Sequence, residues 1–511
     1  MQNATGRPSA GRKEETMVAT APETTAGKAE AGWFDRFLDD WNPGSGEPKE
    51  VREPATGQPL LTRRLSTLED VARAAAAAAA AQPAWAETNY LERVRILRRA
   101  ADIYEAHRDE FGTWTQRETG AVFNKMHHES NFAYQEILNA ATLPSQPLGS
   151  LMPSAQQERM SIVRRVPIGV IGAITPWNSP SVLGMRVVAP ALALGNAVVL
   201  KPDPQTPACG GAMFAAVFRD AGLPEGLLQI VLGGAEVGEA IVTDPNVRAV
   251  SFTGSTAAGR RVGTLAGGLL KKVSLELGGN NAFVVLDDAD VDAAASAGAY
   301  SAFQFQGQVC FAAGRHIVHR SVAKDYIDAL VEKAARLRLG DPYREEVDLG
   351  PIVNEKQLAR VDGIVRRSVD GGARLAVGGT HEGLFYRPTV LADVTTGLPA
   401  WTDEIFGPVA PVVVFDTDEE ALRLANDSEY GLAGAVYSGS TSRGLAFAQQ
   451  IRSGMVHVND QTVNDEAIIP FGGMGASGNG GRFGGAANWD EFTQWQWVTV
   501  RDTPKSFPKP Y

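Results

Sequence analysis

Val166-Pro-Ile-Gly-Val-Ile-Gly-Ala-Ile-Thr-Pro-Trp-Asn178, followed after a helical stretch by Ala197-Val-Val-Leu-Lys-Pro202, decides how this chain folds. Each stretch is a short apolar run that ends in turn residues, so the pair reads as strand, helix, strand. Two such strands lie parallel in a sheet covered on both faces, which is why they are apolar throughout rather than alternating. The pattern recurs at Leu228 to Leu232, Ala249 to Phe252 and Lys272 to Leu275, as expected of βαβ units building one parallel sheet. Parallel sheets present ligands at the C-terminal ends of their strands. Asn178 is therefore expected at a functional edge.

Upstream, Leu68 to about Leu138 is helical in pattern, with the polyalanine run Ala74 to Ala81 reflecting strong helix propensity. Downstream, a second alternating block runs from Asn281 to about Val458. It includes apolar runs at Ala282 to Leu286, His316 to His319 and Val409 to Phe415, and helices from Asp290, around 322 to 338 and 354 to 371. No internal repeat is visible, so two α/β domains are expected. The tail Glu491 to Val500, with Phe492, Trp495 and Trp497, reads as an edge strand too apolar to leave bare. A partner subunit is the economical cover, and folding back on its own chain is the alternative.

Composition removes several classes of function. The net charge of −11 and pI near 5.3 argue against a nucleic-acid partner, which requires clustered cations. No segment is long and apolar enough to span a bilayer, and residues 1 to about 31 read as a disordered leader without the apolar core of a signal peptide. Two cysteines cannot build a disulfide framework, and no Cys/His spacing suggests a metal site, so a soluble protein in the reducing cytoplasm is expected.

One of those cysteines, Cys310, sits in Phe305-Gln-Gly-Gln-Val-Cys-Phe-Ala-Ala-Gly314. A cysteine nucleophile needs a hole for the oxyanion it creates and a base for the second half-reaction. Asn178 can donate an amide to an oxyanion, and Glu276, in Val273-Ser-Leu-Glu-Leu-Gly-Gly279, is an acid among apolar neighbours whose raised pKa would suit it to activating water. Taken singly, each has an ordinary alternative. Cys310 can be a small buried hydrophobe, Asn178 a helix cap, and Glu276 a strand-end acid paired with Lys271 or Lys272. Gly254-Ser-Thr-Ala-Ala-Gly259 follows a strand and opens a helix, where backbone N–H groups can approach a pyrophosphate. The histidines read as structural: His316 and His319 face opposite sides of one strand, and His127-His-Glu129 has no third ligand nearby.

In combination these segments acquire a family. Thr175-Pro-Trp-Asn178, Phe252-Thr-Gly-Ser-Thr256, Leu275-Glu-Leu-Gly-Gly279, Gly307-Gln-Val-Cys310, Glu404-Ile-Phe-Gly-Pro408 and Pro470-Phe-Gly-Gly473 resemble, in order and spacing, the aldehyde dehydrogenase superfamily over residues 32 to 505. The resemblance implies that Cys310 attacks the aldehyde, that Asn178 and the Cys310 backbone N–H hold the oxyanion, and that Glu276 activates water to release the acid. It assigns Lys201, Gly254, Ser255, Gly259, Glu404, Phe406 and Trp177 to a nicotinamide cofactor. The expected fold class is α/β, with a Rossmann-like cofactor domain (32–145 and 166–275), an α/β catalytic domain (276–475) and a small β oligomerisation extension (146–165 and 476–511). A homodimer or homotetramer follows from that extension.

Lys201-Pro-Asp-Pro204 departs from the pattern of relatives that bind NAD with a glutamate three residues after the lysine. NAD is expected, with NADP admissible, since a carboxylate that would repel its 2′-phosphate is missing. Gly184-Met-Arg186, Lys201-Pro-Asp-Pro-Gln-Thr-Pro207, Val456-His-Val-Asn-Asp-Gln-Thr-Val-Asn464 and Met474-Gly-Ala-Ser-Gly-Asn-Gly-Gly481 look most like the branch acting on benzaldehyde and vanillin. Ser179, small where many relatives carry an aromatic, would widen the entrance for a ring. Phe311 and Phe471 would stack on it, and Arg186 would pair with a ring hydroxyl or phenolate. The competing expectations are an aliphatic aldehyde or semialdehyde as substrate and, from another class, a cofactor-independent cysteine esterase.

Overall fold

The computed structural model describes residues 32–507; the expected leader at 1–31 lies outside the described residues. The apolar stretch that opens the reading divides into two strands belonging to different sheets. Met160–Pro167 ends at the proline, Val170–Ile174 begins three residues on, and Gly169 turns the chain at a φ of +128°. Asn196 Oδ1 accepts the N–H groups of Ile168 (2.8 Å) and Gly169 (3.0 Å), so the break is held by a side chain that apolar patterning does not reveal.

Val170–Ile174 is the middle strand of a five-stranded parallel sheet ordered Leu228–Ile230, Ala197–Lys201, Val170–Ile174, Val247–Thr253, Lys272–Glu276. The first two crossovers run one way from Val170–Ile174 and the later strands lie on its other side, leaving a crevice at the C-terminal ends where the order reverses. Both faces are covered. Helix Pro180–Ala193 is buried at every position, and helix Ala235–Thr243 comes so close that a Cβ at Gly172 would meet Ile241 Cγ2 at 2.5 Å. The polyalanine helix, Leu68–Glu87, starts at a capping box of Thr67 and Asp70 and buries Ala74, Ala75 and Ala78.

A seven-stranded sheet follows, ordered Arg374–Val377, Thr389–Ala392, Val409–Phe415, Ala313–His319, Asn281–Val285, Ala433–Tyr437, Met455–Val458. It is parallel except for the antiparallel edge strand Arg374–Val377. One apolar cluster, including Val284, Ile317, Val361 and Trp401, packs on one face, and another, including Phe283, Tyr326 and Leu330, on the other.

The tail strand Thr493–Val500 pairs antiparallel with Met160–Pro167 of its own chain, and Gly149–Met152 completes a three-stranded sheet. Folding back covers one edge only. Trp495 and Trp497 stay 58% and 63% exposed beside exposed Leu151, Met152 and Met160. The segment just before the tail strand does not join this sheet: Phe483, Trp489 and Phe492 pack into the core of the first sheet, and Gly478 bridges to Glu276. A hairpin of Pro48–Arg52 and Pro59–Arg64 has no counterpart in the sequence reading. Among the described residues no helix is long and apolar enough to cross a membrane.

Candidate active site

Cys310 stands on a loop whose shape is locked from several sides. Helix Val291–Phe303, capped by Asp290, ends in three consecutive left-handed residues: Phe305 (φ 49°), Gln306 (φ 55°) and Gly307 (φ 64°). For the two that carry side chains this conformation costs roughly 1 kcal/mol or more each. Gln306 Nε2 offsets that by donating to Pro351 O (2.8 Å) and Gly120 O (3.2 Å). At Gly307 a Cβ would lie 2.1 Å from Gly407 O, so only glycine fits. Beyond the turn, Gln308 Oε1 accepts the Val353 N–H (3.0 Å), and Asn281 Nδ2 donates to Cys310 O (3.0 Å) and Ala312 O (2.7 Å).

Asn178 reaches this loop from the crevice of the first sheet. It is 4% exposed, and its Nδ2 donates to Gln308 O at 3.1 Å. An amide nitrogen carries two N–H groups, so one remains available to a ligand near Cys310. The Cys310 backbone N–H makes no hydrogen bond among the described residues.

Glu276 ends the strand Lys272–Glu276 and is 3% exposed. Among the described residues neither carboxylate oxygen has a hydrogen-bond partner of normal geometry, although the Gly473 N–H lies close enough to favour the charged form. Burial dominates and raises the pKa well above the usual carboxylate range, against the pull of Arg482 and Arg186. The sequence alternative of a lysine partner is not realised. Lys271 Nζ donates to Val242 O (2.7 Å) and Lys272 Nζ to Glu491 O (2.9 Å). Gly472, with its φ of +157°, covers the acid so closely that a Cβ there would sit 2.6 Å from Oε1. The Cys310 thiol is pushed up too, by burial first and then by the carboxylates of Glu404, Glu276 and Asp465. A nucleophile, a free amide donor and an unpaired base thus share one environment, the set that covalent acyl chemistry requires.

The expected cofactor residues ring the same crevice. Lys201 is buried at the end of Ala197–Lys201, with only a 3.5 Å contact to Pro202 O. Burial lowers its pKa, and Asp203 and Glu236 partly compensate. Ser255 caps helix Thr256–Gly268, with Gly254 before it. Gly259 lets the helix pack close to the next strand's end, since a Cβ there would lie 2.3 Å from Leu277 Cδ2. Glu404 accepts the Gly279 N–H (2.9 Å) and is pushed up to about 7, chiefly by burial. Phe406 meets Trp177 edge to face with centroids 5.6 Å apart.

Phe311, next to Cys310 in the chain, forms an edge-to-face pair with Phe471 at 5.6 Å, and Ser179 is half-buried. Arg186 does come here, its guanidinium 4.7 Å over the Phe471 ring. Its charge, however, is already balanced by Glu136 (2.9 Å) and Asp465 (2.6 Å). The expected role as a cation waiting for a phenolate is therefore corrected: a buried guanidinium is stable only when paired, and this chain supplies the pair. Glu136, Asp465 and Lys125 escaped the sequence reading, and Glu129 entered it only beside His127 and His128, not as the partner of Lys125. Only the one-turn spacing of Lys125 and Glu129 signalled anything. Among the described residues no group of side chains could hold a metal ion.

Residues 41–498 match the sequence pattern of the Aldehyde dehydrogenase family. The chain is 50% identical over 478 residues to a vanillin dehydrogenase of Amycolatopsis sp., covering 93% of this chain and 98% of that protein. It is 48% identical over 477 residues to a benzaldehyde dehydrogenase [NAD(+)] of Pseudomonas putida, with the same coverage. Its fold superposes on the crystal structure of betaine aldehyde dehydrogenase from Staphylococcus aureus in complex with NAD+, with a TM-score of 0.88 at 29% identity, covering 91% of this chain and 94% of that one. With the pattern running through nearly the whole described chain and through both sheets that meet at Cys310, the chain belongs to the aldehyde dehydrogenase family.

Proposed function

We propose that this protein oxidises an aromatic aldehyde, of the benzaldehyde or vanillin kind, to its carboxylic acid with NAD as oxidant. The observation that carries the reading is the buried, unpaired Glu276 acting on Cys310 beside the free N–H of Asn178. Similarity to vanillin and benzaldehyde dehydrogenases supports the ring, as does the aromatic pair Phe311 and Phe471 next to Cys310.

In this reading the charged form of Glu276 takes the Cys310 proton and passes it to solvent. The sulfur then bonds to the aldehyde carbon, and the carbonyl π pair moves onto oxygen. The resulting oxyanion accepts hydrogen bonds from Asn178 Nδ2 and the Cys310 N–H, donors already in place before charge develops. NAD, when bound, would supply the hydride acceptor, and loss of the hydride from the tetrahedral carbon would leave a thioester on Cys310. Glu276 next takes a proton from water, whose oxygen attacks the thioester carbon. The carbon–sulfur bond breaks, the acid leaves, and the thiolate is restored.

The residues present fit the cofactor. Lys201 is a buried donor without a strong acceptor, as a ribose hydroxyl requires, Ser255 opens a helix toward the crevice, and Glu404 is a buried acceptor. Pro204 stands where the family pattern for NAD carries a glutamate, but Asp203 and Glu236 both act on Lys201. Their negative charge disfavours a 2′-phosphate, so NAD is preferred and NADP remains the poorer partner. We assign the five-stranded sheet with its helices to cofactor binding, the seven-stranded sheet to catalysis, and the three-stranded sheet to oligomerisation. Two free cysteines suit a cytoplasmic location.

The test is the absorbance of reduced nicotinamide on mixing the protein with benzaldehyde and either cofactor. Benzoate should form with NAD, kcat/KM with NADP should be at least about tenfold lower, and an aliphatic aldehyde should be a worse substrate than benzaldehyde. Ester cleavage without cofactor and no aldehyde turnover would overturn the reading, and benzoyl-CoA formed on adding coenzyme A would overturn hydrolysis. For assembly, W495E/W497E is expected to convert a dimer or tetramer to monomer in sedimentation velocity. A monomeric wild type would refute that assignment.

A further inference from the structure

We propose that Lys125 and Glu129 are positioning residues, a buried ion pair that fixes the turn carrying Asn178 and so aims its amide at the oxyanion. The inference rests on the reading that Asn178 donates to that oxyanion. Both residues lie on helix Phe123–Ala140, one turn apart and on one face, and are 6% and 3% exposed. Lys125 Nζ donates to Asn178 O at 2.8 Å and to Glu129 Oε2. Glu129 Oε1 accepts the Ser181 N–H at 2.8 Å. The pair therefore grips both ends of Asn178-Ser-Pro-Ser181.

Among the described residues no other side chain hydrogen-bonds to the backbone of this turn. Ser179 precedes helix Pro180–Ala193 without a side-chain capping hydrogen bond, and the first N–H groups of a helix have no partners within it. Glu129 supplies the missing acceptor from another helix, with the negative charge that a helix N-terminus favours.

The same ammonium lies 4.2 Å above the ring of Phe305, the left-handed residue beneath the Cys310 loop. One cation thus touches both segments whose register sets the distance from Asn178 to Cys310. Its three N–H groups meet two oxygens and an aromatic face, all supplied by the protein. Stability does not account for it, since apolar side chains of similar volume commonly replace a buried ion pair at little or no cost.

The experiment uses the full chain with benzaldehyde and NAD, comparing K125M, K125M/E129Q, N178A and K125M/E129Q/N178A. Removing Lys125 alone strands a buried carboxylate, so the pair variant decides the matter if K125M fails to fold. In K125M/E129Q, kcat should fall about 10- to 100-fold, the scale of a misplaced catalytic group, while KM for benzaldehyde and Kd for NAD stay within about twofold. N178A alone should lose about 100- to 1000-fold, and the combined variant should be no slower than N178A. A lowered melting temperature with wild-type kcat in K125M/E129Q would make the pair merely structural and overturn the inference. Losses that multiply in the combined variant would also overturn it. Wild-type kcat in N178A would instead overturn the oxyanion reading, and the inference with it.

Discussion

C310A is expected to lower kcat for benzaldehyde oxidation by about 10⁵-fold or more, the scale seen when a covalent nucleophile is removed, while the Kd for NAD changes little. The size of the effect follows from the lack of a substitute. The only other cysteine, Cys209, is fully buried and its thiol is raised well above the ordinary range by burial and the adjacent Glu118. Without Cys310 there is no thiohemiacetal, and the amide of Asn178 has no oxyanion to receive. The Cys310 loop is held through Gln306, Gln308 and Asn281, none of which needs the sulfur, so the variant should fold and bind cofactor. Absorbance of reduced nicotinamide reads the first quantity and fluorescence titration the second. Wild-type turnover by C310A would refute covalent catalysis.

E276Q should lower the steady-state rate by about 10²- to 10⁴-fold, the range for loss of a general base. It should leave a burst of reduced nicotinamide equal to the concentration of sites, because Cys310 is still acylated once before hydrolysis stalls. Rapid mixing reads the burst, and mass spectrometry reads the acyl group on Cys310. Decay without a burst would place Glu276 before the thioester.

Glu276 also links activity to stability. Burial raises its folded pKa above the unfolded value near 4.5, so the folded protein binds that proton more tightly than the unfolded chain. Its stabilising effect is full below the unfolded value and is lost as pH rises through the folded one. Glutamine cannot charge. E276Q is therefore expected to melt at a higher temperature than wild type in alkaline buffer and at a similar temperature near about pH 5. Wild-type kcat should rise with pH through the folded pKa of Glu276, because only the charged form accepts a proton. Identical melting of the two proteins at all pH values would show that the carboxylate is not strained by burial.

Much of the parallel architecture was readable in the chain because strands buried on both faces must be apolar along their whole length. Val170–Ile174 obeys that rule throughout, Ala197–Lys201 and Asn281–Val285 obey it except at the terminal Lys201 and Asn281, and Asp290 announced its helix. The boundary inside Val166 to Ile174 was hidden, since it depends on Asn196 folding back onto Ile168 and Gly169. The hairpin at Pro48–Arg52 carries too little apolar alternation to declare itself, and only one residue of that strand is buried.

The candidate site divides along a similar line. The sequence by itself determined the chemical types and their order along the chain: Asn178, Glu276 and Cys310 in motifs resembling one family, with Lys201, Ser255 and Glu404 beside them. Tertiary structure alone decided which charges are spoken for. Arg186 is matched by Glu136 and Asp465, Gly259 serves packing, Glu276 is left without a partner, and Lys125 with Glu129 grips the turn of Asn178. The physical reason is that a pKa, an ion pair or a close approach depends on which atoms share a low-dielectric space. Residues far apart in the sequence share that space only once the sheets have packed.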